Sequence, residues 1–333
     1  MKKRAFLIGA RYLLGGFAAV LLAVLVFALQ DDGPSFSAWS EPVNLGKWPA
    51  GGPNGPLSEW FQFTSKDGLS LYFTADFEML DNWDIYVSQR ASVDDPWGPP
   101  QKLGPEINTP YIDGGPCIST DGHLMYFASN RPEGFGSTDI YVSRRHNKRD
   151  DFGWQTPINL GPGVNTVYNE SSPEIFEDDD TGIITLYFDS NRPDGPGPYD
   201  DIYGCGNDIW ASILQPDEAF GPAVLVQELS STYRDMQPSI RRDGLEIFFA
   251  SSHRPGGLGN RDLWTSTRPT TSDPWSAPVH VEGPVNTPGR EEGPSLSWDG
   301  TKLYFCAIRP DSGGYIDLYV STRTKLTGPQ DEK

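Results

Sequence analysis

Cysteine, histidine and methionine are scarce in this 333-residue chain, with three, four and four copies. Cys117, Cys205 and Cys306 form an odd set without metal-type spacing and read as buried thiols. The histidines, His123, His146, His253 and His280, fall at unrelated positions, and no nucleophile elbow or phosphate loop is present, so no Ser-His-Asp hydrolase or nucleotide-binding protein is indicated. Cations are also few: 26 Lys and Arg stand against 45 Asp and Glu, for a formal net charge of -19. Without the four N-terminal cations the remainder carries about -23. Nucleic acid is excluded as a partner, because phosphate binding needs clustered Lys and Arg. Cations, basic peptides and glycans stay open. Beyond the N-terminus there is no long helical pattern, which excludes α and α/β folds.

What is abundant is turn chemistry. Gly 36, Pro 30 and an aromatic content of 12% describe an all-β chain of many short strands. The first 30 residues stand apart, with Lys2, Lys3 and Arg4 ahead of an unbroken apolar run from Tyr12 to Leu29. This is a signal peptide or an N-terminal membrane anchor. The acidic body is therefore expected outside the cytoplasm, in the periplasm or anchored to the inner membrane and facing it. Residues 31–326 form the folded body and 327–333 a disordered tail; "KLTGPQDEK" shows no strand pattern.

The body repeats itself. "DIY"-like elements place Asp84, Asp139, Asp208, Asp262 and Asp317 about 55 residues apart, with one longer step at the insertion "PYDDIYGCG". "DG" turns follow the same period at Asp67-Gly68, Asp121-Gly122, Asp243-Gly244 and Asp299-Gly300, altered to "DDDTG" in the third unit. A "W-x-x-P" element recurs at Trp97, Trp154 and Trp275, with Phe220 standing in once. Each unit thus holds four short antiparallel strands, the pattern of a propeller blade, and there are five units. The last unit lacks its fourth strand, while "AWSEPVNLG" near the N-terminus is a fourth strand with no blade before it. Joining the two closes a ring and removes an exposed edge. The expected fold is a five-bladed β-propeller closed by its N-terminal strand, in a monomer.

The elements "PCISTDGHLMYFASNRPEGFGSTDIYVSRR" and "WQTPINLGPGVNTVYNESSP" resemble the WD-like repeats of TolB-type propellers of bacterial envelope proteins. That resemblance implies a binding or interaction scaffold in the cell envelope, with a protein, peptide or glycan as partner.

Candidate site residues come from the loops leading into each first strand. "NTPYIDGGP", "NTVYNESSP", "SSTYRDMQP" and "NTPGREEGP" carry Asp113, Glu170, Asp235 and Glu291 three residues before the proline, and Glu59 holds that register in the first blade. Five residues earlier stand Asn54, Asn108, Asn165, Ser230 and Asn286. Such a ring at a channel mouth suits a cation or a polyhydroxylated ligand. The "SNRP" loops add Arg131, Arg192, Arg254 and Arg309, each expected to clamp a loop acid, since a guanidinium grips a carboxylate with two hydrogen bonds. Blade 1 has Phe77 in place of that arginine and carries Asp76, Glu78 and Asp81 nearby, so its sector is expected to be acidic and uncompensated. Trp60, Phe61 and Trp83 read first as core and second as a stacking face. No cofactor is expected; calcium is left open, "EDDDTG" at 177–182 matching a calcium loop only weakly. The leading functional reading is the non-enzymatic scaffold. The alternative is a glycoside hydrolase of the five-bladed arabinanase or fructosidase type using channel carboxylates; the equivalence of the five acids weighs against it, because an acid and its partner need distinct environments.

Overall fold

The computed structural model describes residues 35–48, 51–79, 82–196, 206–312 and 315–326. The N-terminal segment, Asp81, Cys205 and the C-terminal tail lie outside them. The described residues contain no α-helix and fold as five four-stranded antiparallel blades. Blade 1 comprises Glu59–Thr64, Ser70–Ala75, Asp84–Gln89 and Gln101–Lys102; blade 2, Asp113–Ile118, Leu124–Ser129, Asp139–Arg144 and Ile158–Asn159. Blade 3 comprises Glu170–Glu177, Ile184–Ser190, Asp208–Ile213 and Val224–Leu225; blade 4, Arg234–Ile240, Glu246–Ser252, Arg261–Thr267 and Val279–His280.

Blade 5 is the composite unit that the sequence calls for. Glu291–Leu296, Lys302–Ala307 and Asp317–Thr322 are completed by Val43–Asn44, with Val43 opposite Val320 and Asn44 opposite Tyr319. Trp39, just upstream, packs edge-on against Phe248 of blade 4. A second clasp was not legible in the sequence: Ser35–Phe36 pairs with Lys325–Leu326, and the Arg323 guanidinium lies 3.7 Å over the Phe36 ring. The segment beginning at Lys325 therefore contributes two strand residues, because an edge partner supplies what its own pattern lacks.

The hairpins are set by the "DG" turns. At Asp121-Gly122, Asp121 Oδ1 accepts from Ser119 Oγ at 2.6 Å and from His123 N at 2.9 Å. Gly122 takes φ 78°, which a side chain would oppose. Between the blades the apolar faces interdigitate: Tyr72, Ile85 and Val87 of blade 1 pack with Met125, Phe127 and Tyr141 of blade 2, all buried. The recurrent Trp97, Trp154 and Trp275 are buried under the guanidinium groups of Arg90, Arg145 and Arg268, at 4.1, 4.4 and 4.2 Å.

Every innermost strand carries a bulge at the same place. Phe61, Gly115, Ser172, Gln237 and Gly293 hold φ between 50° and 64° where the ladder slips. The following residue is Pro116, Pro173, Pro238 or Pro294, tolerated because a bulge residue owes no N–H to the ladder, and Gln62 in blade 1. These bulges pinch the channel to a cavity of about 30 Å³. On one side of this waist, where the innermost strands begin, lies a cup of about 270 Å³; on the side of the "DG" turns lies a funnel of about 520 Å³.

Candidate functional site

The repeated acids lie inside the protein. Glu59, Asp113, Glu170, Asp235 and Glu291 are all 0% exposed. Each folds back on its own loop. Asp113 accepts from Thr109 N and Oγ1, both at 2.7 Å; Glu170 from Thr166 N at 2.8 Å and Oγ1 at 2.6 Å; Glu291 from Thr287 N at 3.0 Å and Oγ1 at 2.6 Å; Asp235 from Ser231 Oγ at 2.6 Å. The arginines lie against them: Arg131–Asp113 at 2.8 Å, Arg192–Glu170 at 3.1 Å, and Arg254–Asp235 and Arg309–Glu291 at 3.6 Å. Each arginine also donates to a loop carbonyl, of Ile107, Val164, Leu229 or Val285. Burial pushes the Asp235 and Glu291 carboxyls above their ordinary range, and the arginine beside each opposes that rise.

The amides of the ring work on backbone. Asn108 Oδ1 accepts Ile85 N at 2.8 Å while its Nδ2 donates to Ile85 O at 2.9 Å, so the side chain imitates a strand neighbour. Asn165 repeats this on Ile140, Asn286 on Leu263 and Asn54 on Leu318. Ser230 reaches Ile209 N at 3.3 Å. These groups are occupied as a frame, and the expectation that they face a ligand is corrected on that ground.

Blade 1 departs from its expected character. Phe77 packs on Tyr86, with centroids 4.8 Å apart. Glu59 beneath it has one oxygen on Gly55 N at 2.7 Å and the other without a partner. Burial pushes its carboxyl up to about 9, so at neutral pH it carries no charge. Glu78 meets Lys102 at 3.2 Å, and Lys102 meets Asp84 at 2.8 Å. Asp76 is half-buried at the blade's edge and also has a partner. Lys102 thus stands in for the missing arginine, one cation shared between Glu78 and Asp84. In "EDDDTG", Asp178 Oδ1 accepts from Asp180 N and Thr181 N, an ordinary turn. Among the described residues no cluster of three or more His, Cys, Asp or Glu could hold a metal.

The cup is built where the repeat breaks. The residue after each ring acid is Trp60, Gly114, Ser171, Met236 or Glu292; the residue before each "DIY" aspartate is Trp83, Thr138, Asn207, Arg261 or Ile316. On the second strands the aligned series is Thr74, Ala128, Asp189, Ala250, Cys306. From these places Trp60, Trp83, Asp189, Asn207, Arg261 and Glu292 converge on the cup, joined by Arg234 and Arg290. Trp60 and Trp83, both half-buried, stack with centroids 5.1 Å apart and planes 28° apart. Asp189 accepts from Asn207 Nδ2 at 2.5 Å, Ser171 Oγ at 2.7 Å and Gln237 N at 3.1 Å. The last donor is the left-handed bulge residue, φ 58°, so backbone strain aims an amide at this carboxylate. Glu292 meets Arg290 Nη2 at 2.6 Å and also Arg261 Nη1. Burial lowers the pKa of Arg261; Glu292 opposes this, while Arg290 and Arg234 add to it.

Solved structures share this architecture. An arabinanase from Bacillus subtilis aligns at a TM-score of 0.53 and 14% identity, over 81% of this chain and 94% of its own. An α-L-arabinofuranosidase from Lactobacillus brevis aligns at 0.53 and 16%, over 83% and 93%, and one from Podospora anserina at 0.53 and 10%, over 88% and 98%. The shared fold is that of five-bladed glycoside hydrolases. No family model matches the chain, and no curated relative does. At such identities the likeness is one of fold. It corrects the TolB-type assignment, and with it the non-enzymatic scaffold reading that rested on that resemblance.

Arg234, Arg261, Arg290, Asp189 and Glu292 had no place among the sequence candidates. Their signal was present as irregularity: an acid in one "LYFDS" among "LYFTA", "MYFAS", "IFFAS" and "LYFCA", and Arg beside the ring acid in two blades.

Proposed function

We propose that the chain is a glycoside hydrolase whose active site is the cup. The observation that carries the reading is the pair Asp189 and Glu292, carboxylates that no other blade repeats, placed in one cavity with the stacked Trp60 and Trp83. Glycoside hydrolysis needs two carboxyl groups flanking one bond, one to protonate the departing oxygen and one to activate water or attack the sugar carbon. The ring of equivalent acids could not divide those roles. Asp189 sits among neutral donors and Glu292 between guanidinium groups, unlike settings of the kind that separate an acid from its partner. We assign protonation of the departing oxygen to Asp189, and attack on the sugar carbon, directly or through a water that it deprotonates, to Glu292. The tryptophans offer a face for the sugar's C–H side. An exported chain would meet glycans of the envelope or its surroundings.

The test is release of reducing ends from a panel of neutral and acidic oligosaccharides by the purified chain, with Asp189→Asn as control. Turnover lost in Asp189→Asn at an unchanged melting temperature supports the reading. No new reducing ends from any member of the panel overturns it.

A further inference from the structure

Three guanidinium groups, of Arg234, Arg261 and Arg290, line the cup against the carboxylates of Asp189 and Glu292, in a chain whose net charge is -19. Asp189 is held by Ser171, Asn207 and the Gln237 amide, all neutral. Glu292 answers two of them directly, with Arg290 on one oxygen and Arg261 on the other. Arg261 and Arg290 thus share one carboxylate, whereas each of the four frame arginines has a carboxylate of its own. A parallel bridge between Arg261 and Arg290 fixes their backbones side by side across the joint between blades 4 and 5.

From this convergence we infer that the cup selects a sugar that carries a carboxylate, a hexuronic acid residue, held by Arg261 and Arg290 with Arg234 beside them. The inference rests on the reading of the cup as a sugar site and names the substrate class for it. A planar carboxylate is the group that a guanidinium fork holds with two parallel hydrogen bonds, and in a half-buried cup such bonds are stronger than in water. Arg290 Nε is a buried donor without an acceptor. An incoming carboxylate supplies that acceptor and relieves the repulsion that Arg290 and Arg234 exert on Arg261. The ring of the same sugar has Trp60 and Trp83 as its wall. At about 270 Å³ the cup lies near the lower end of ligand pockets, about 300 Å³, and suits one sugar unit. Phe61, Ser172 and Gln237 belong to both cup and waist, so they form its floor.

Calorimetric titration of the folded chain with digalacturonate, with its methyl ester and with digalactose tests the inference, with galactose 6-sulfate as a second anion. The expected result is that digalacturonate binds at least tenfold tighter than its ester or the neutral disaccharide. This preference should shrink as salt is raised, and Arg290→Gln should abolish it at unchanged circular dichroism. Equal affinity for acid and ester overturns the inference, and so does tighter binding of the sulfate or a preference that survives both Arg290→Gln and Arg261→Gln. Hydrolysis confined to neutral glycans defeats the uronate inference and leaves the hydrolase reading standing. Tight uronate binding without hydrolysis of any glycan does the reverse.

Discussion

Glu291 and Glu292 are consecutive on one strand and serve opposite ends. Glu291 is buried against the Thr287 amide and hydroxyl and lies 3.6 Å from Arg309, whereas Glu292 meets Arg290 and Arg261 at the cup. Successive side chains of a strand leave by opposite faces, so a shift of one residue exchanges frame for site. The residue that repeats around the ring holds the blades together; the residue beside it is free to differ. The cup draws on that freedom in blades 1, 3, 4 and 5.

The frame arginines should behave as structural clamps. Arg131 donates to Asp113 and to Ile107 O, both at 2.8 Å, and lies 5.0 Å over Tyr141. Arg131→Ala would strand a carboxylate that is 0% exposed, at a cost of roughly 3–5 kcal/mol in chemical denaturation. Lysine cannot reproduce the fork and should recover only part. Arg309→Ala, whose pair stands at 3.6 Å, should cost less. Equal stability of the Arg131, Ala and Lys forms would remove the clamp from the account.

Glu59 should make stability fall as pH rises. Its folded carboxyl holds a proton to about 9, against an ordinary 4.5, so between those values the unfolded chain gains by releasing it. Near pH 7 the penalty is on the order of 3–4 kcal/mol. Glu59→Gln keeps the shape without the proton and should raise the denaturation midpoint at pH 8 much more than at pH 5. A gain independent of pH would show that the carboxyl ionises in the folded state.

How much of this was legible follows from the same one-residue shift. Five blades, their hairpins and the exchange of Val43–Asn44 into the last blade could be read because they depend on features that every unit repeats: alternation, Asp-Gly turns, and an orphan strand matched to a missing one. Counting by the repeat also led to Asp113, Glu170 and Asn108, which recur because each blade joint needs the same buried hydrogen bonds. The cup escaped that count. Asp189 is informative only by contrast with Ala128 and Ala250, and Arg261 only by contrast with Thr138; the distance between such residues along the chain conceals their meeting. The bulge that turns the Gln237 amide toward Asp189 has no signature beyond the proline after it.

Ring closure should depend on two clasps of unequal weight. Deleting residues 35–46 removes Val43–Asn44, Trp39 and the Phe36 platform together and should abolish cooperative unfolding. Ending the chain at Thr324 removes only the partner of Ser35–Phe36 and should lower stability by about 1–2 kcal/mol, since Phe36 loses an edge but keeps Arg323. A truncated chain that melts like the parent would assign closure to Val43–Asn44 alone.

The cup should divide into residues that bind and residues that react. Trp83 stacks on Trp60 and touches neither carboxylate through a hydrogen bond, so Trp83→Ala should weaken sugar binding by about 1–2 kcal/mol, raising KM roughly tenfold while kcat changes little. Asp189→Asn retains a side chain of the same size within reach of Ser171 and Asn207 but cannot transfer a proton, so kcat should fall at least about a hundredfold with KM nearly unchanged. Glu292→Gln should differ from both: it leaves Arg261 and Arg290 without their anion, which should tighten binding of an acidic sugar while slowing its turnover. Initial rates over a range of substrate concentrations for the three variants separate these outcomes. If Trp83→Ala lowered kcat as far as Asp189→Asn does, at equal KM, the tryptophans would belong to the positioning of the reacting bond and the division between wall and chemistry would fail.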